Sequence, residues 1–217
     1  MLFVLLTLAT VLLFYQFTGR RRGVLIGLLV WASLHAGLAL AGFYATIDTR
    51  PPRLALALAP MLLAAGLLGF TRRGAGLRAA ADPERLHYLQ GVRVVVEVVF
   101  LEGLYRAGTV AEAMTFHGQN WDILPGVLGP LVGYLYYRRH RLPAWVVPAY
   151  NALGIVSLLW TFSRATLSAP TTYQTLGLEQ PTVAIFGFPY ILLPAVVAPL
   201  MIWAHCLVLG KRYFRAT

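Results

Sequence analysis

The sequence predicts an all-α, polytopic bundle of seven transmembrane helices with its N-terminus outside and its C-terminus inside. Three observations lead there. The 217 residues are 59% hydrophobic and only 12% charged, against about 45–50% and about 25% in soluble domains. Apolar runs close to the ~20 residues that cross a ~30 Å hydrocarbon core recur along the whole chain. The connections between these runs alternate between densely basic and nearly uncharged. With a mean hydropathy of +0.68, folding in water would leave much apolar surface uncovered. That excludes a soluble enzyme and a disordered chain, and the single cysteine, Cys206, excludes an intramolecular disulfide scaffold. The runs are continuous rather than alternating in pieces of about ten residues, which excludes a β-barrel.

Taken in order, the predicted spans are 2–18, 23–46, 53–71, 86–108, 123–137, 143–166 and 184–210 in one membrane domain. The first is followed, not preceded, by Arg20, Arg21 and Arg22 and lacks a small-residue cleavage site, so it reads as a retained helix rather than a signal peptide. The fourth carries charges. The fifth is short and interrupted by Pro125, Gly126, Gly129, Pro130 and Gly133, and the three glycines form a small-residue stripe suited to close helix approach. Pro189, Pro194 and Pro199 fall in the seventh, where each kink requires another group to satisfy a freed carbonyl.

Orientation follows from charge. Arg20, Arg21, Arg22, Arg72, Arg73, Arg78, Arg85, Arg138, Arg139, Arg141, Lys211, Arg212 and Arg215 fall on one side, thirteen basic residues against four (Arg50, Arg53, Arg106 and Arg164) on the other. Basic loops stay inside. The net charge of +10 therefore calls for no nucleic-acid partner. Membrane lipids, including anionic headgroups, are the expected partners, and the small size also suits an oligomer or a complex. The location predicted is the inner (cytoplasmic) membrane, crossed many times.

Ionisable groups inside a bilayer are costly and mark functional candidates. The fourth helix is richest: Gln90, Arg93 and Glu97 share one face, with Arg93 and Glu97 spaced to pair directly. At 1.5 Å per residue from the inner boundary, Glu97 lies roughly 18 Å deep and His35 roughly 19–20 Å. Gln90, Arg93, Asn151 and His205 form an inner tier at roughly 8–15 Å. These six are the predicted ligand-binding residues. An outer pocket is predicted around Glu102, Tyr105, Asn120, Asp122 and Arg164, capped by the loops at 108–126 and 168–183. Thr109 and Glu112 read as a capping box for a short helix there, and Asp122 as an acidic start to the fifth helix.

No catalytic motif or metal-ligand spacing appears, and no cofactor is indicated. His35 and His205 differ in depth by roughly 10 Å, which argues against paired haem ligation. The seventh helix has no lysine in its apolar part, which argues against a retinal Schiff base. Ser33, Ser157 and Ser163 lie in spans but outside any GxSxG context.

Two stretches, AMTFHGQNWDILPG and SAPTTYQTLGLEQPTVAIFGFPYILLPAVVAPLMIWAHC, resemble an uncharacterised bacterial family of seven-helix integral membrane proteins. The positions are Met114, Thr115, Phe116, Gly118, Asn120 and Asp122 in one and Ser168, Pro170, Gln174, Gln180, Pro181, Pro189, Pro194, Pro199 and His205 in the other. The resemblance implies a bacterial inner-membrane location and no activity. The function expected is a polar intramembrane pocket binding a small molecule or ion, in a transporter or sensor-like protein. The alternatives are an intramembrane enzyme acting on a lipid or isoprenoid, with His35 and Glu97 as acid and base, and a structural subunit of a membrane complex.

Overall fold

Apolar, strongly helix-forming runs separated by Gly, Pro and Arg clusters give helices and turns; no strand occurs among the described residues. The computed structural model describes residues 1–46, 49–50 and 52–216, with side chains described through Lys211. The side chains of Arg212 and Arg215, two of the predicted inner basic residues, lie outside the described ones.

Helices α1 (Leu2–Phe17) and α2 (Arg22–Leu40) are joined by a tight turn. Gly19 adopts φ +84° there, and a Cβ on it would come within 2.6 Å of Ala80 Cβ. Helix α2 stops at Leu40 instead of running to 46 because Gly42 turns left-handed at φ +74°. Helix α3 (Arg53–Phe70) and the short α4 (Ala75–Ala80) follow.

The fourth predicted span is three helical pieces with a π turn. Asp82 caps α5 (Pro83–Leu89) by accepting from the Arg85 amide at 3.2 Å, with Pro83 in the first turn. A turn at 90–91 leads to α6 (Val92–Val95), then a π turn at Val96–Leu101, then α7 (Glu102–Arg106). The fifth span is α8 (Ile123–Val132) continued by a π turn at Gly133–Arg138, and the sixth is α9 (Val146–Ser168).

The seventh span starts later than predicted. Residues 184–192 form a 3₁₀ turn and an irregular corner, and the helix proper begins with a π turn at Leu193–Val197 that runs into α10 (Ala198–Ala216). Pro189 therefore sits outside the helix. Pro199 has no N–H to give to the Ala195 carbonyl four residues back. The indole N–H of Trp31 on α2 donates to that carbonyl instead, at 3.0 Å. This is the external satisfaction that a proline-broken membrane helix requires.

Among the described residues, four helical stretches are long and apolar enough to cross a membrane: Arg22–Leu40, Arg53–Phe70, Val146–Ser168 and Leu193–Lys211. The last is the centre of the bundle, with 83% of its apolar window buried against 17–33% in the other three. Small residues let α3 lie directly on it. A Cβ at Gly69 would approach Cys206 Cβ to 2.7 Å, and Gly210 sits against the Gly69 carbonyl. The faces turned away from this core are apolar: Ile26, Val30 and Leu34, four residues apart on α2, are exposed, as are Leu56, Leu63 and Leu67 on α3. Such a patch suits hydrocarbon rather than water.

The bundle has two distinct ends. At the basic end, Arg21 reaches the Gly76 carbonyl at 2.8 Å, Lys211 the Ala81 carbonyl at 2.6 Å, and Arg138 the carboxylate of Glu84. At the other end, the segments around 105–122 and 167–187 interlock. Gln180 donates to the Tyr105 and Val110 carbonyls, and Ser168 bonds Thr182 at 2.7 Å.

Candidate functional site

The site begins with the fifth span's small-residue stripe. Its close approach seats particular side chains: a Cβ at Gly126 would meet Arg93 Cβ at 3.1 Å, one at Gly129 would meet Gln90 Cβ at 2.7 Å, and one at Gly133 would meet His87 Cβ at 3.1 Å. Three glycines on one helix thus face three polar residues spaced by three on the other. Gly154 does the same on α9, where a Cβ would overlap the His205 ring.

Arg93 is the hub. It is 2% exposed and directs four N–H donors at three groups. Its Nε and one terminal nitrogen make a forked pair with the Asp122 carboxylate, Nε at 2.8 Å from Oδ2. The same terminal nitrogen donates to Ser157 Oγ at 2.5 Å, and the other donates to His205 Nε2 at 3.3 Å. The forked geometry is the strongest form of the guanidinium–carboxylate bond.

These contacts dictate the state of everything downstream. A guanidinium has no acceptor, so His205 Nε2 must accept and its proton sits on Nδ1. That Nδ1–H donates to Asn151 Oδ1 at 2.8 Å. The Asn151 amide then donates to the Val147 carbonyl at 2.8 Å and to His87 Nε2 at 3.2 Å. His87 in turn donates from Nδ1 to the Pro83 carbonyl at 2.6 Å. A one-way hydrogen-bond column therefore runs from Arg93 through His205, Asn151 and His87 to the Pro83 carbonyl near the basic end, with both imidazoles neutral.

Glu97 belongs to a second branch. The predicted direct pair with Arg93 is not formed, because the guanidinium is turned to Asp122, Ser157 and His205. Both Glu97 oxygens instead accept from Asn120 Nδ2 at 2.8 Å. Asn120 Oδ1 accepts from the Asp122 amide at 3.1 Å and from Thr161 Oγ1 at 2.8 Å. Asn120 and Asp122, assigned from sequence to an outer pocket, are 0% and 5% exposed and complete the buried centre. Asp122 adjoins the start of α8 but makes no cap hydrogen bond there, since Arg93 holds its carboxylate.

A cavity of about 50 Å³ adjoins Glu97, Asp122 and Thr161 on the side toward the interlocked loops. Its other walls are apolar, including Leu101, Met114, Leu158, Phe162, Pro194 and Ala198. A volume of this size holds several waters or one small solute.

The remaining predicted residues go elsewhere. Gln90 is buried beside the hub but donates to the Met201 carbonyl at 3.3 Å, outside the column. His35 is not brought to Glu97: it bonds Tyr44 and stacks edge-on against Trp31 at 4.2 Å. The acid–base partnership expected of His35 and Glu97 is therefore not formed. Of the outer candidates, Glu102 pairs with Arg106 at 2.7 Å and with His117 at 3.5 Å. Tyr105 stacks on His117 at 5.4 Å. Arg164 lies over Trp160 and donates to Gln119 at 2.8 Å. Tyr105 lines an open groove of about 700 Å³ between the two loops, but Glu102 and Arg164 do not. Thr109 donates to the Leu104 carbonyl, and the segment it was predicted to cap is a single 3₁₀ turn at Glu112–Met114.

Sequence reasoning missed His87 and Thr161 and left Ser157 among unassigned serines. His87 was within reach: it continues the Gln90–Arg93–Glu97 stripe by three residues toward the helix start. Among the described residues, no group of three or more His, Cys, Asp or Glu side chains is placed to hold a metal ion. No protein-family model, curated protein or solved structure matches the chain.

Proposed function

We propose that the chain is an integral membrane protein whose buried polar centre binds a small molecule or ion, in the manner of a transporter or sensor, with Glu97 as its proton-responsive group. In this reading all seven helical stretches cross a bacterial inner membrane with the N-terminus outside. Of the three stretches beyond the four long apolar ones, the first is the unbroken 16-residue helix Leu2–Phe17, and the other two are interrupted where they meet the polar centre. The cluster of basic side chains at one end supports a C-in orientation.

One observation carries the functional reading. Two buried carboxyls, Glu97 and Asp122, lie near a single guanidinium, and Asp122 has taken its fork while Glu97 is bonded to Asn120. An unbalanced buried charge is strongly unfavourable. The centre is therefore neutral only when Glu97 carries a proton or when a cation sits beside it, and the cavity lies on that side. A purely structural ion pair has no need of the second carboxyl.

The test is an infrared pH titration alongside flux measurements. Wild-type protein should show a buried carboxylic-acid C=O band that is lost in Glu97→Gln. Proteoliposomes loaded with a pH-sensitive dye should respond to at least one member of a panel of small cations, anions and neutral solutes, and Glu97→Gln vesicles should not. Equal responses from both proteins, with the variant folded, overturn the reading.

A further inference from the structure

The walls of the Glu97 cavity select a ligand class. Of its three polar groups, Asp122 is held by the Arg93 fork, and the Thr161 hydroxyl donates to Asn120 Oδ1 and to the Ser157 carbonyl at 3.0 Å. Glu97 receives a single nitrogen, shared between its two oxygens, so acceptor capacity remains for a guest. The rest of the lining is hydrocarbon and one aromatic ring, Phe162. A hard metal cation takes about six or more oxygen ligands, and one uncommitted carboxyl on an apolar wall cannot supply them. An anion would add to a surplus of negative charge. A positive charge carried on an apolar body satisfies both demands, with its charge on Glu97 and its alkyl groups against Leu101, Met114, Leu158 and the ring of Phe162.

Resting on the functional reading above, we propose that this cavity binds a small organic ammonium ion in exchange for the proton of Glu97. The balance is simple. In the empty site Arg93 and Asp122 cancel and Glu97 is a neutral acid. When the ammonium enters, the Glu97 O–H bond breaks, the proton leaves to water on the loop side, and the carboxylate remains as counter-ion. The centre is neutral in both states, and no redox partner is needed. The charged and titratable groups facing Glu97 are Arg93 from its own helix and Asp122 from the loop, with His205 of α10 acting only through Arg93. Among the residues lining the cavity, those from α9 and from the 185–198 wall are not titratable.

Methylammonium is the decisive probe: its two heavy atoms suit a cavity of about 50 Å³, its N–H groups meet the open acceptor sites of Glu97, and loss of the Glu97 C=O band on binding shows that the carboxyl gave up the proton. Calorimetric titration of the detergent-purified protein in two buffers of different ionisation enthalpy counts the protons released. Binding with about one proton released per cation is expected, weakened about tenfold or more in Glu97→Gln, with sodium and acetate not binding. Ala165→Leu, which fills the cavity from α9, should remove methylammonium binding while the Glu97 infrared band persists. Binding without proton release, or no binding by any ammonium of this size, overturns the proposal. A Glu97-dependent response to an anion or a neutral solute overturns it too but leaves the broader reading standing. Absence of the infrared band from wild type before any ammonium is added removes both.

Discussion

At the scale of single residues, the molecule turns on what Arg93 can and cannot do. It donates to a carboxylate, a hydroxyl and an imidazole at once, a fork that an ammonium does not reproduce. Asp122→Asn leaves the guanidinium without its counter-charge and should destabilise the fold by about 3–5 kcal/mol, measured by reversible unfolding in mixed micelles. The double variant Arg93→Met with Asp122→Leu should be less destabilised than either single one, and a double-mutant cycle showing simple additivity would contradict the pairing. Arg93, Asn151 and His205 were legible as members of one tier, because depth counted along each helix puts them at similar levels, but their bonding to one another was not. Asp122 and Asn120 were not, since the same counting ends at the membrane boundary. Their loop folds back into the bundle, and a fold-back driven by Arg93 leaves no periodic trace in the sequence.

At the scale of elements, interruptions are matched by donors from neighbours. Trp31→Phe removes the N–H that serves the Ala195 carbonyl opposite Pro199. It should cost about 1–3 kcal/mol, seen as a lowered thermal midpoint with little change in helix content. The Glu84–Arg138 bridge ties the start of α5 to the end of the fifth helical stretch. Burial alone would raise the Glu84 carboxyl, but hydrogen bonds from Arg138 and Tyr88 and the Arg138 charge outweigh it and hold the carboxyl below its ordinary value of 4.5. With the folded value lowered, the bridge contributes fully above about pH 4.5 and is lost as pH falls through the folded value. Thermal midpoints measured through that acid range should fall less steeply for Glu84→Gln than for wild type. Helix existence was legible from the apolar runs, and proline marked where the seventh would break. The π turns were not legible, because they depend on which neighbour takes up the displaced carbonyls, and that is a tertiary fact.

At the scale of the whole molecule, the apolar composition also arranges the chain. Apolar faces of α2 and α3 point outward, α10 is enclosed, and the polar groups line the contact of the fourth, fifth, sixth and seventh helical stretches. Topology is the property to test here. A fluorescent protein fused at the C-terminus should fold and fluoresce in the cytoplasm, whereas a periplasmic alkaline phosphatase fused there should stay inactive; the opposite pattern reverses the orientation. The charge asymmetry is readable from the amino-acid order alone, since it depends only on which loops hold arginine. The packing order of helices is not, because equal depth does not specify neighbours.

The one-way hydrogen-bond column has a consequence for the membrane itself. A file of polar groups reaching from mid-bundle to one face resembles a wire, yet a relay works only if each member can accept a proton before passing one on. Arg93 cannot accept, and each imidazole is pinned with its only free lone pair already occupied. The column is therefore an insulator. With no solute added, a bilayer containing this protein should hold a pH gradient as long as an empty one does, which gradient decay in proteoliposomes would measure.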